Sequence, residues 1–180
     1  MTTESVAPAA RPAGPGTALR RLRTDHLSAA QLAAYFDTLA EAVQRIDPGP
    51  SAPGGWENRE RLRFSTWVRA AYEHPLSAAV FAHPDAGVAR SAQHRQAAEL
   101  GLRMDVSGTG IRPARPTPHV RAAAAVAAVW SVTALAVTQS PRPPRERVVS
   151  DAWRIAQEII APALLTAGPG FTRARARGAW

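Results

Sequence analysis

Apolar side chains recur every three or four positions through most of this chain, the period of an amphipathic helix. Leu32, Tyr35, Phe36, Leu39, Val43 and Ile46 make the first such stripe. Ser28-Ala-Ala-Gln31 in front of it has the form of a capping box, in which Ser28 accepts a free backbone N–H three residues on and Gln31 reaches back. Leu27 and Leu32 flank the box at the spacing of a hydrophobic staple, and Asp47-Pro-Gly-Pro ends the helix. Asp47 to Gly55 reads as a loop. A second helix begins near Trp56, with Leu62, Phe64, Trp67, Val68, Ala71 and Tyr72 on its buried face. Arg59, Arg61, Arg63 and Arg69 are expected to point mostly elsewhere, and Glu57 and Glu60 to sit on an exposed face among these arginines.

His74-Pro75 stops or kinks that helix, because proline cannot supply the N–H the helix needs and disfavours helical geometry in the residue before it. A short apolar helix, Leu76 to Ala82, follows, and His83-Pro-Asp-Ala-Gly87 is a turn. Val88 to Met104 reads as a further helix with Gly101 a weak point near its end, and Asp105 to Pro118 as a loop of Gly, Pro and Arg. Two long helices close the pattern. His119 to Gln139 follows Pro118, and Arg145 to Ala167 follows Pro143-Pro144, with Pro162 expected to bend its last turns. No segment alternates with the period of a strand, so the fold class is all-α.

Composition adds three constraints. The first 16 residues hold Pro, Ala and Gly with few large apolar groups and read as a disordered tail, as does the Arg-rich end, 168–180. The N-terminus has no basic start followed by an apolar run, so no secretory signal is expected and a cytoplasmic location is. The longest apolar run, Ala122 to Val137, is short for a bilayer span of about 20 residues and reads as a buried helix. Finally, the chain has no Cys, which excludes disulfides, thiolate metal sites and thiol nucleophiles. Alanine is abundant and aromatics make only 6%, which favours closely packed helices with small residues between them.

The formal charge is +8 and every basic side chain other than histidine is Arg. Such a surface attracts phosphates, and Arg20, Arg21 and Arg23 cluster just before the Ser28 helix, as Arg173, Arg175 and Arg177 do near the end. Solvated surface is the commoner fate of such runs. Catalytic and metal chemistry find little to work with. No two of His26, His74, His83, His94 and His119 share an i,i+3 or i,i+4 spacing, no nucleophile motif is present, and the carboxylates are scattered. No catalytic residue, metal site or cofactor is therefore assigned.

Three segments carry a family resemblance. Gly108-Thr-Gly-Ile-Arg-Pro113, a Pro-rich turn and an Ala-rich helix resemble the approach to the penultimate helix of TetR-family transcriptional regulators. Ala70-Ala-Tyr-Glu-His-Pro75 with Leu76 and Phe81 is similar to the family's central-helix region, and Arg145 to Leu165 looks like its last helix. Upstream, Ser28, Leu32 and Phe36 have the spacing of the family's recognition helix, but Ala33 stands where an aromatic is usual, no Lys follows, and only Thr17 to Leu27 is available for the preceding helices. The DNA-binding unit thus looks truncated or degenerate.

The resemblance implies a helical bundle over 56–167 that binds a ligand and dimerises, preceded by an N-terminal helical segment, 17–46. It implies a homodimer through 119–139 and 145–167, whose Val126, Trp130, Thr133, Val137, Trp153, Ile155, Ile159 and Ile160 offer apolar surface to a second copy. It also implies a pocket for a small apolar or aromatic ligand, with Phe64, Trp67, Tyr72, Phe81, Met104 and Trp130 as walls and Arg69 and His94 as polar contacts. Contacts to DNA would come from Arg20, Arg21, Arg23, Ser28 and Gln31. The expected function is a ligand-sensing TetR-like regulator. The alternatives are a ligand-binding or sequestration protein without DNA binding, and a helical-bundle enzyme.

Overall fold

A computed structural model describes residues 27–47, 49, 55–84, 86–107 and 117–165. They form an all-α fold of six helices: α1 (Ala29–Ile46), α2 (Gly55–Glu73), α3 (Ser77–Phe81), α4 (Ala86–Ser107), α5 (Pro118–Thr138) and α6 (Arg145–Leu165). Among the described residues there is no strand. The N-terminal tail with Arg20, Arg21 and Arg23, the Gly108–Pro113 segment and the C-terminal tail lie outside the described residues.

Local chemistry sets the helix ends. The Ser28 capping box is complete: Gln31 N–H donates to Ser28 Oγ at 3.2 Å and Ser28 N–H donates to Gln31 Oε1 at 2.9 Å. α2 ends at Glu73, just before His74-Pro75, and α5 starts on Pro118, whose missing N–H costs nothing at the first helical position. α6 runs past position 162 to Leu165. α4 is longer than its periodicity suggests, passing through Gly101 to Ser107. The glycine is a crossing point, since a Cβ built there would overlap the His119 ring of α5.

α5 is the central rod. It packs on α4 and α6 along its length and is also met by α2 and α3, while α1 lies against α2 and α4. It is long and apolar enough by composition to cross a membrane, yet its core-facing stripe is Ala122, Ala125, Val126, Val129, Thr133 and Val137, all buried. Thr133 turns its hydroxyl back to the Val129 carbonyl at 2.8 Å, so no polar group is stranded there.

One buried hydroxyl relay joins the first three helices. Ser77 donates to the Ala71 carbonyl, so Tyr35 is the donor in the 2.7 Å bond to Ser77. Burial pushes the Tyr35 phenol up to about 12, an effect the Ser77 bond partly offsets.

Four expectations need correcting. Leu62 is exposed on the side of α2 away from the core, because 64, 67, 68 and 71 define the buried stripe and 62 falls off it. Glu60 and Arg63 fall on that stripe and are buried. The residues expected to offer α5 and α6 to a second copy are largely covered within the chain: Val126, Trp130, Thr133, Val137, Trp153 and Ile160 are buried, and only Ile155 and Ile159 remain partly open. Finally, α1 is no separate unit, because Leu32, Tyr35, Phe36 and Leu39 belong to the common core.

Leu39 is fully buried and Leu102 is 61% exposed. Leu39→Ala is expected to lower unfolding free energy by about 2–5 kcal/mol, and Leu102→Ala to change it by less than about 0.5 kcal/mol. Urea denaturation followed by far-UV circular dichroism checks both.

Candidate functional site

Four helices each contribute one stripe to a cavity of about 130 Å³. From α1 come Phe36, Ala40 and Val43, and from the cap after it Asp47. From α2 come Glu60, Arg63, Phe64 and Trp67, at i, i+3, i+4 and i+7. α4 supplies Ala92, Gln96, Leu100 and Arg103, and α5 supplies Val126 and Trp130. The volume is close to that of an engineered apolar cavity, about 150 Å³, that holds benzene.

The floor is aromatic. Trp130 stacks with Phe36, with ring centroids 4.9 Å apart and planes at 24°, and with Trp67, at 5.1 Å and 27°. Phe81 meets Trp130 and Trp67 edge-on from behind. Offset stacks of this kind contribute about 0.5–1.5 kcal/mol each beyond their buried area. The Trp130 indole N–H donates to Gln96 Oε1 at 2.6 Å, which satisfies its one polar atom and fixes the ring's orientation.

The mouth is charged. Glu60 has no solvent exposure and accepts from Arg63 and Arg103, the latter through Nε at 2.8 Å and Nη2 at 3.2 Å. Arg63 in turn donates to both carboxylate oxygens of Asp47, at 3.0 and 2.5 Å. Asp47 is held in position by the Gly49 N–H, which donates to its Oδ1 at 3.0 Å across a turn where Gly49 has φ +75°. Arg103 also lies 3.8 Å from Glu99, and Arg95 pairs with Asp37 at 3.3 Å. A carboxylate as deeply buried as Glu60 is tolerable only because two guanidinium groups meet it. The Arg63 hydrogen bonds hold the Asp47 carboxyl below the ordinary aspartate range, against a smaller opposing effect of burial. Burial alone would lower Arg63, but the Asp47 hydrogen bond and the nearby charge of Glu60 outweigh it, and the guanidinium is held above its ordinary value.

Of the residues expected to form the pocket, Phe64, Trp67 and Trp130 line this cavity. Phe81 packs on its floor without lining it, and Met104 is buried in the core but does not line it either. The Tyr72 hydroxyl is used elsewhere, donating to the Pro143 carbonyl at 2.5 Å, with Arg142 over its ring. Arg69 borders an open groove of about 550 Å³ between α2 and α6 and pairs with Glu146 at 2.9 Å. The Glu146 carboxyl is lowered by its hydrogen bonds from Arg69 and then Arg145. His94 is exposed on α4.

Of the residues expected at DNA, Ser28 and Gln31 are exposed and bonded to each other in the cap. Phe36, Glu60, Arg63, Gln96, Arg103 and Asp47 were not anticipated at the site. A signal existed for the α2 pair: Glu60 and Arg63 share the helical stripe of Phe64, Trp67 and Ala71, so position marked them as inward despite their charge. Among the described residues, no group of three His, Asp or Glu side chains is placed to hold a metal ion.

Comparison with known proteins finds no family model, curated protein or solved structure that matches the chain.

The depressed Asp47 carboxyl has a pH signature. Its ion pair stabilises the fold fully above the ordinary aspartate value of about 4, and that contribution is lost as pH falls through the lower folded value. Asp47→Asn is expected to lower the melting temperature at neutral pH and to narrow its gap from the parent as the solution is acidified below about pH 4. A gap that stays constant down that range would contradict this.

Proposed function

We propose that this chain is a ligand-sensing regulatory domain of the TetR type, whose ligand is a small aromatic molecule seated on Trp130. The observation that supports it is the cavity: an aromatic floor, a fixed indole and a charged mouth, built from four separate helices. Packed interiors leave few voids of this size without use, and small-molecule sites typically pair apolar walls with a few placed polar groups. Helix α1 gives the site a route to the rest of the molecule. Phe36, Ala40 and Val43 touch the cavity at one end of α1, and the basic Arg20–Arg23 segment precedes the other. A ligand that binds one placement of α1 more tightly than another would supply the differential contact a regulator needs.

A second copy is proposed to dock on the outward face of α5. Val120, Ala123, Ala124, Ser131 and Leu135 share that face and are exposed, so small side chains allow close approach between two larger apolar ends. The outward side of α6 is charged instead, with Arg147 and Arg154 both facing Asp151.

A binding protein without DNA contact is the second reading. The burial of Leu32 and Phe36 favours it, since a helix whose apolar face is spent on the core is not free to enter a groove as a separate recognition unit. A salt-titrated binding assay on DNA upstream of the gene separates the two: a regulator retains specific binding after nonspecific attraction is lost, and a sequestration protein loses all binding together.

Two outcomes test the main reading. In a calorimetric screen, one-ring aromatic compounds are expected to bind and aliphatic compounds of similar size are not, with Ala92→Leu, which fills the cavity, weakening binding by roughly tenfold or more. In light scattering, the parent is expected to be a dimer and Leu135→Arg a monomer, because an unpaired charge would be buried at the proposed interface.

A further inference from the structure

We propose that the ligand is a small aromatic carboxylate, whose anionic end replaces Asp47 on Arg63 while its ring rests on the aromatic floor. The proposal rests on the cavity being a ligand site and adds the ligand's chemical class.

The cavity is lined by three guanidinium groups: Arg95, exposed and paired with Asp37, and Arg63 and Arg103, which are directly bonded to two carboxylates, Glu60 and Asp47. The two carboxylates are not equivalent. Glu60 sits inside α2, is fully buried, and bridges both arginines. Removing it would leave a buried cation, Arg63, facing a half-buried one, Arg103. Asp47 lies beyond the last residue of α1, its side chain is 35% exposed, and Arg63 is its one guanidinium partner among the side-chain bonds of the site. It is the exchangeable anion of the pair. With Asp47 turned away, Glu60 neutralises one of Arg63 and Arg103, Asp37 pairs with Arg95, and the inner cluster carries one positive charge at the edge of an aromatic cavity. A guanidinium presents a planar fork that matches any carboxylate, so the geometry Arg63 now offers Asp47 serves a ligand equally well. Glu99, next to Arg103, is exposed and at 3.8 Å, and a charge so placed is largely screened.

A carboxylate on Arg63 and a ring against Trp67 and Trp130 occupy one continuous space, since all three residues line the same cavity. A cationic aromatic fits less well, because both inner carboxylates are already taken by arginine. A neutral aromatic gains the floor but leaves the Asp47 pair in place.

Isothermal titration calorimetry with benzoate, benzamide and toluene, on the full chain and on Asp47→Ala, tests this. Benzoate is expected to bind the parent more tightly than benzamide, and less tightly as salt rises. Removing the internal competitor is expected to tighten benzoate binding by roughly tenfold while changing benzamide and toluene by less than about threefold. Asp47→Asn, which keeps the side-chain size, is expected to act in the same direction and serves if Asp47→Ala does not fold. Benzoate affinity unchanged or weakened in the folded variant overturns the proposal. So does equal binding of benzoate and benzamide by the parent, an outcome that leaves the aromatic cavity itself standing as a ligand site. Binding of no aromatic probe to either protein would remove both.

Discussion

One indole sets the register of this bundle. Trp130 projects from the central helix α5 and is stacked by Phe36 of α1 and Trp67 of α2, while Gln96 of α4 takes its N–H. Four helices are thereby positioned against a single flat surface that cannot deform. A helix–helix interface of alanine and valine can slide with little cost, because its ridges are shallow and similar. A ring stacked by two others and held at its polar edge cannot. The alanine-rich contacts of α5 with α4 and α6 supply close approach, and the aromatic stack supplies position.

The charged mouth is a consequence of the same geometry. Placing Trp67 against Trp130, with Phe64 on the same cavity wall, brings the preceding turns of α2, with Glu60 and Arg63, onto the same inward stripe. Charge in that position is costly unless paired. The chain meets the cost with Arg103 from α4 and Asp47 from the cap of α1, so the ion-pair network also ties three helices together. The result is a small cavity with a rigid apolar floor and a polar rim in which one partner is deeply fixed and another lies near solvent.

Much of the architecture was legible in the sequence, because helix ends are local chemistry. The Ser28 box, His74-Pro75, Pro118 and Pro144 punctuate the chain where the structure begins and ends its helices, within a few residues. Partners were harder to read, for a physical reason. Periodicity says which face of a helix turns inward, and it does not say which neighbour it meets. Phe64, Trp67 and Trp130 are read as inward aromatics and do converge, and Phe81 packs on Trp67 and Trp130 without lining the cavity, whereas Tyr72, Met104, Arg69 and His94 have the same kind of local pattern and do not line it. Glu60 and Arg63 were set on the surface by side-chain type although their spacing placed them inside. The apolar residues of α5 and α6 illustrate the reverse. Their abundance suggested surface to spare, and the chain uses most of it to bury them against α4 and α2 and against each other.

The central claim is that the space over Trp130 receives a small aromatic molecule. The most direct measurement is the set of indole N–H signals in a two-dimensional ¹⁵N–¹H NMR spectrum, titrated with benzoate. Saturable shifts of the Trp67 and Trp130 signals, with those of Trp56 and Trp153 unmoved, are the predicted result. Signals that do not move, or that drift together without saturating, would contradict it.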